Sequence, residues 1–238
     1  MKRPTVDYRG LRLSNLRSPQ YRHLLLLGGW LVYFALYFIT EKLIPYESCH
    51  EVRCALDDAI PFCELFVLPY VGWFLLVAAS LLYLLLYDVP SFRRLSVYIM
   101  ITQAGAMLVY ILWPNIQLLR PAVLPRENFF TWIVGIIYAF DTPTGILPSL
   151  HAAYSIAILS VFWHRRETAL WWKWTLLGLV LLIIAATFFI KQHSVLDALA
   201  ALPLCAVGEW AVFHRKHERH GEAIDPSVAE KLEKFSKK

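Results

Sequence analysis

Two histidines and one aspartate stand inside otherwise apolar stretches of this 238-residue chain: His151, His193 and Asp197. A titratable side chain within a run of membrane-spanning length is costly and marks a functional position by default. Asp197 follows His193 by four residues, so on a helix the two share a face. A carboxylate at that spacing accepts a hydrogen bond from one ring nitrogen and fixes the tautomer, which leaves the other nitrogen free as nucleophile or base. A His–Asp pair that merely helps to pack a bundle has the same spacing, and on this ground alone it stays open. His151 follows Leu147-Pro-Ser-Leu. Proline suits a first helical turn, and the Ser149 hydroxyl can cap it or donate. The free amides of a helix N-terminus favour anions, so a phosphate could be held there while His151 protonates its leaving oxygen. A zinc ion on His151, His193 and Asp197, with one position open for water, is another chemistry this trio would allow.

The surrounding elements read as membrane spans. Hydrophobic residues make up 58% of the chain and charged ones 17%, against about half and a quarter in ordinary soluble domains; the mean hydropathy is +0.50. A hydrocarbon core needs roughly 17–25 apolar residues of helix. Residues 24–40, 65–87, 95–113 and 174–190 meet that requirement without a charged residue. Residues 146–163, with His151, and 194–213, with Asp197 and Glu209, meet it with ionisable groups inside. The expected fold class is therefore all-α: a bundle of six transmembrane helices in a catalytic domain over 24–213, between basic tails at 1–23 and 214–238.

Six spans put both termini on one side. That side carries 18 Lys and Arg, in the N-terminal tail, around Arg93 and Arg94, around Arg165, Arg166 and Lys173, and in the C-terminal tail. The opposite side has five: Lys42, Arg53, Arg120, Arg126 and Lys191. By the positive-inside rule the termini are cytoplasmic. The same pattern accounts for the net charge of +5 without nucleic-acid binding. The first apolar run is a full span with no cleavage site after it and is read as retained. His151 begins one outside-to-inside span and His193 another, so they meet at similar depth near the outer face although 42 residues separate them.

Residues 45–64 form an acidic outer segment with Cys49 and Cys54, which face an oxidising side either as a disulfide or as free thiols. Residues 125–140, too short to span, read as an interfacial helix on the outer leaflet or as a loop packed on the bundle. His214, His217 and His220 lie among Arg215, Lys216 and Arg219, a basic cytoplasmic segment suited to anionic lipid; Glu209 reaches the inner interface. Intramembrane His and Asp also serve proton relays in transporters, but such relays spread titratable groups across the membrane depth. Here the groups cluster at one face.

The strings Phe140-Asp-Thr-Pro-Thr-Gly-Ile-Leu-Pro-Ser-Leu-His151 and Phe189-Ile-Lys-Gln-His193-Ser-Val-Leu-Asp197 resemble the second and third signature motifs of the type 2 phosphatidic acid phosphatase superfamily, closest to its inositol phosphorylceramide synthase-like branch. The resemblance implies a six-helix membrane core and metal-independent phosphoryl transfer through a phosphohistidine, without a cofactor, on a lipid phosphate substrate. His193 would attack phosphorus, Asp197 would orient it, His151 would act as acid and base, and Ser149 would contact phosphate oxygens. The chain departs from the phosphatases at three places. Trp113 stands at the lysine position seven residues before Arg120-Pro121; Ala186 and Thr187 stand for Ser-Arg; Leu150 stands for a glycine. Arg120 and Lys191 are the substitute cations for phosphate. The expectation is a membrane lipid phosphatase or phosphotransferase of a bacterial plasma membrane or a eukaryotic secretory membrane, with headgroup transfer of the inositol phosphorylceramide or sphingomyelin synthase type as the alternative acceptor chemistry.

Overall fold

The computed structural model describes residues 4–214. The chain is mainly helical: α1 (Gly28–Leu43), α2 (Ala55–Ala59), α3 (Val67–Tyr87), α4 (Val89–Leu112), α5 (Phe129–Phe140), α6 (Leu150–His164), α7 (Leu170–Phe189) and α8 (Val195–Glu209), with two-residue strands β1 (His50–Glu51) and β2 (Asn115–Ile116). Five helical stretches are long and apolar enough to cross a membrane: Arg22–Leu43, Glu64–Tyr87, Val89–Leu112, Leu170–Phe189 and Val195–His214. Each contains an expected span or covers most of it.

The sixth differs. α6 has 15 residues, about 22 Å of helix, because the chain before it runs irregularly until Ser149 caps the first turn, its Oγ accepting from Ala152 N at 3.3 Å. α6 is the central element and packs on α4, α7 and α8. Its Ala152, Ala153, Ala157, Ile158 and Val161 are at most 1% exposed. Small residues let neighbouring helices approach closely, and Ala152, Ala153 and Ala157 do so here.

Arg93 and Arg94, expected in a loop, lie in the second turn of α4. The Asp88 carboxylate accepts from Ser91 N at 3.1 Å and starts the helix at once, with Pro90 in its first turn. The N-terminal segment, expected as a basic tail, folds back over the ends of α3 and α4. Thr5 N donates to Leu86 O at 2.8 Å, and the Tyr8 hydroxyl donates to Leu85 O and contacts His23 Nε2. His23 is buried against the Phe92 ring. At the same end the Arg165 guanidinium pairs with Asp88 at 2.7 Å. Of the expected C-terminal basic segment, only His214 is among the described residues; His217 and His220 lie outside them.

The opposite end carries the loops that build the site. β1 and β2 pair in parallel, His50 with Asn115 and Glu51 with Ile116. α5 starts at Asn128, whose side chain accepts from Phe130 N and Thr131 N. It buries Val134 and exposes Phe129, Trp132 and Phe140. Cys49, Cys54 and Cys63 are free thiols.

Candidate active site

His151 and His193 meet, although different helices carry them. His151 lies in the first turn of α6 and His193 just before α8. The two helix starts are tied directly: Ser149 N donates to Asp197 O at 2.9 Å. Further back, α7 ends at Phe189 and the chain turns through Lys191, whose φ of +54° is left-handed. Gln192 N and His193 N then both bond Thr187 O, so the turn aims the His193 ring inward. Before α6, the Asn115 side chain holds the approach. Its Oδ1 accepts from Ile146 N and Leu147 N at 2.9 Å each, and its Nδ2 donates to Leu147 O at 3.0 Å. Gly145 takes φ +60° there, and a Cβ on it would lie 3.4 Å from the Tyr110 ring.

The trio forms a chain of contacts. Asp197 Oδ2 lies 3.0 Å from His193 Nδ1, and His193 Nε2 lies 3.1 Å from His151 Nδ1. Asp197 is fully buried and its Oδ2 also accepts from Ser194 N at 2.9 Å, so the carboxylate is fixed before it orients the imidazole. His151 stacks obliquely on Trp73, with centroids 4.2 Å apart, and on Tyr70 at 4.8 Å. The zinc arrangement does not form. Asp197 takes the outer nitrogen of His193 instead of converging with both rings, and among the described residues no group of three or more His, Cys, Asp or Glu is placed to hold a metal ion.

Both histidines open onto a cavity of about 630 Å³ between α1, α3, α5 and α6. Its wall is aromatic and aliphatic, from Trp30, Tyr33 and Phe34 to Trp73 and Phe74, and its polar lining includes Asp141, Thr142, Thr144 and Gln192. Among the described residues, no lysine or arginine lines it.

Of the expected phosphate contacts, Ser149 is 1% exposed and caps α6 from outside the cavity lining. Lys191 is a correction: its Nζ donates to Asp57 O at 2.7 Å and to Ile60 O, away from the histidines. The left-handed turn directs it there, and burial lowers its pKa against the opposing pull of Asp57 and Asp58. Arg120 stands behind the cavity wall. Its Nη1 donates to Asp141 O at 2.8 Å and to Tyr138 O, its Nη2 donates to Gln192 Oε1, and it lies 4.7 Å over the Tyr138 ring. Burial lowers its pKa, although Asp141 pulls the other way.

Several site residues escaped the sequence reading. Asp141 lies inside the motif string but was not singled out. Burial raises its carboxyl above the ordinary value, against the pull of His193, Arg120 and the Tyr70 hydroxyl. Gln192 connects it to Arg120, with Nε2 3.3 Å from Asp141 Oδ2. Asp57 of α2 holds the start of α8: Oδ2 accepts from Ser194 Oγ at 2.6 Å and from Cys54 N at 2.8 Å, and Oδ1 accepts from Val195 N at 2.8 Å. Only the general acidity of the 45–64 segment pointed towards it.

Compared with protein-family models, curated proteins and solved structures, the chain matches none.

Proposed function

We propose that the protein is a membrane enzyme that moves a phosphoryl-bearing group from a lipid phosphate ester through a phosphohistidine on His193. The observation that carries this reading is the Asp197–His193–His151 chain opening onto a large, mostly apolar cavity. The cavity has room and apolar walls for acyl chains, and it places the one oriented imidazole beside a second titratable ring. The motif strings resembling the type 2 phosphatidic acid phosphatase superfamily support the same chemistry. On this reading α6 is a short sixth crossing, α5 lies along the outer leaflet, the site faces the non-cytoplasmic side and both termini are cytoplasmic.

Asp197 accepts the Nδ1 proton of His193, so the Nε2 lone pair is available. A bound phosphate anion favours the protonated form of the adjacent His151. Nε2 forms a bond to phosphorus as the bond from phosphorus to the lipid oxygen breaks, and that oxygen takes the proton from His151 Nδ1. His151, now neutral, accepts the proton of an incoming alcohol or water. The new oxygen bonds phosphorus, the N–P bond breaks, and both histidines return to their starting states. Positive charge on the imidazolium and the donor side chain of Gln192 take the place of a lysine or arginine cluster in stabilising the transferring group.

The test is turnover of a panel of labelled lipid phosphates by purified protein, with His193→Ala and His151→Ala variants alongside. His193→Ala should abolish turnover, and His151→Ala should lower it by about 10²–10⁴-fold. Wild-type rates in both variants would overturn the proposal, and free phosphate against lipid product separates hydrolysis from transfer.

A further inference from the structure

The segment before the first long apolar helix is an ordered structure with an uncovered tip. Residues 7–21 close into an Ω-loop whose ends meet: the Tyr21 hydroxyl donates to Asp7 O at 2.9 Å, and Gln20 Nε2 donates to the same carbonyl at 3.2 Å. Nearer the tip, Asn15 accepts from Arg12 N at 2.8 Å and donates to Gly10 O at 2.9 Å. The loop is fixed to the bundle where Thr5 N donates to Leu86 O and the Tyr8 hydroxyl donates to Leu85 O. Those carbonyls belong to the last turn of α3, and Arg22, the residue after the loop, begins the apolar stretch Arg22–Leu43. The loop therefore stands where two long apolar helices end, which in a bilayer is the level of the headgroups.

The tip is apolar and cationic at once. Leu13 is 93% exposed and Leu11 39%, and Arg9, Arg12 and Arg17 are exposed around them. Among the described residues these three arginines form no ion pair. The one acid between residues 4 and 27 is Asp7, and its Oδ1 accepts from Arg9 N. Uncovered leucines beside uncompensated arginines match a membrane interface, where the boundary of the acyl chains takes the leucines and lipid phosphates accept from the guanidiniums. A nucleic acid or an acidic protein would satisfy the arginines but would leave the leucines in water. We propose that residues 7–21 are a docking loop for anionic phospholipid headgroups of the leaflet at this end of the bundle. Net negative charge is what the loop selects, because in a zwitterionic headgroup the ammonium offsets the phosphate. The inference is independent of the phosphotransfer reading and needs only that the long apolar helices lie in a bilayer.

The experiment places a benzoylphenylalanine photo-crosslinker at Leu13 of the full chain, in nanodiscs of phosphatidylglycerol and phosphatidylcholine in equal amounts with identical acyl chains. After irradiation, mass spectrometry identifies what is joined to the loop. Because Leu13 is so exposed, the substitution leaves the loop's own contacts in place. Phosphatidylglycerol adducts should exceed phosphatidylcholine adducts by about fivefold, the enrichment expected of roughly one arginine near an anionic surface. The double variant Arg12→Gln, Arg17→Gln should bring the two lipids to even labelling, and raised salt should move the wild-type ratio in the same direction. The same probe at Leu75, exposed on α3, reports the acyl chains around the bundle and should label both lipids evenly in either background, which also shows that the double variant is inserted. Even labelling at Leu13, an excess that persists in the double variant, or an equal excess at Leu75 would overturn the proposal. So would adducts at Leu13 to protein, including a second copy of this chain, in place of lipid.

Discussion

At the scale of single residues, the account depends on which nitrogen of His193 is free. Asp197 fixes Nδ1 at 3.0 Å and leaves Nε2 towards His151. Asp197→Asn keeps the size but presents an amide that can stabilise the wrong tautomer, so kcat should fall by about 10²–10⁴-fold with KM little changed; a rise in KM alone would contradict the orienting role. The pair was legible in the sequence because an i,i+4 spacing puts two side chains on one face whatever surrounds them. His151 was legible through topology, which set it at the depth of His193. Lys191 was misread because side-chain direction depends on the left-handed turn at its own backbone and on the carbonyls of Asp57 and Ile60, and no local pattern announces either. Asp141 and Gln192 sit in loops, where there is no periodicity to mark which way a side chain faces.

At the scale of elements, apolar run length located the five helices long enough to span a membrane, and chemistry at their ends set the boundaries. Asp88 and Pro90 start α4 before its apolar run begins, and Ser149 delays α6. Close packing between helices was not readable. A Cβ on Gly208 of α8 would stand 2.6 Å from the ring of Tyr98, which is buried in α4 with its hydroxyl bonded to Cys205 O. Gly208→Ala should therefore cost about 1–3 kcal/mol, seen as a lower unfolding temperature in detergent; an unchanged midpoint would mean that the α4–α8 contact is loose. The start of α8 depends on Asp57. Burial by itself would raise that carboxyl, but hydrogen bonds from Ser194, Val195 and Cys54 overcome it and hold the pKa below its ordinary value. A carboxyl depressed in the fold contributes in full above its unfolded value near ~4 and loses that contribution as pH falls through the folded value. Asp57→Asn should lower stability at neutral pH by about 2 kcal/mol and flatten the fall below pH ~4. An unchanged acid profile would remove Asp57 from the clamp.

At the scale of the whole molecule, the two ends differ in chemistry. One gathers Asp88, Arg165 and the folded-back N-terminal segment; the other gathers the site and three thiols. On the proposed reading, the uneven cation count, 18 against five, would put the site end outside the cytoplasm. A membrane-impermeant maleimide should therefore label Cys49, Cys54 or Cys63 in intact cells, whereas labelling only after permeabilisation would reverse the orientation. The bundle itself was legible in composition and run length. The cavity was not, because it forms where α1, α3, α5 and α6 fail to close on one another, and that is a property of their packing.

The most direct measurement is to trap the intermediate. The protein is mixed with a lipid donor labelled at phosphorus, quenched within a turnover and digested. The account predicts label that is stable to alkali and lost in acid on the peptide carrying His193, and none in His193→Ala. Turnover of the donor with no label on that peptide, or label that persists in His193→Ala, would contradict it.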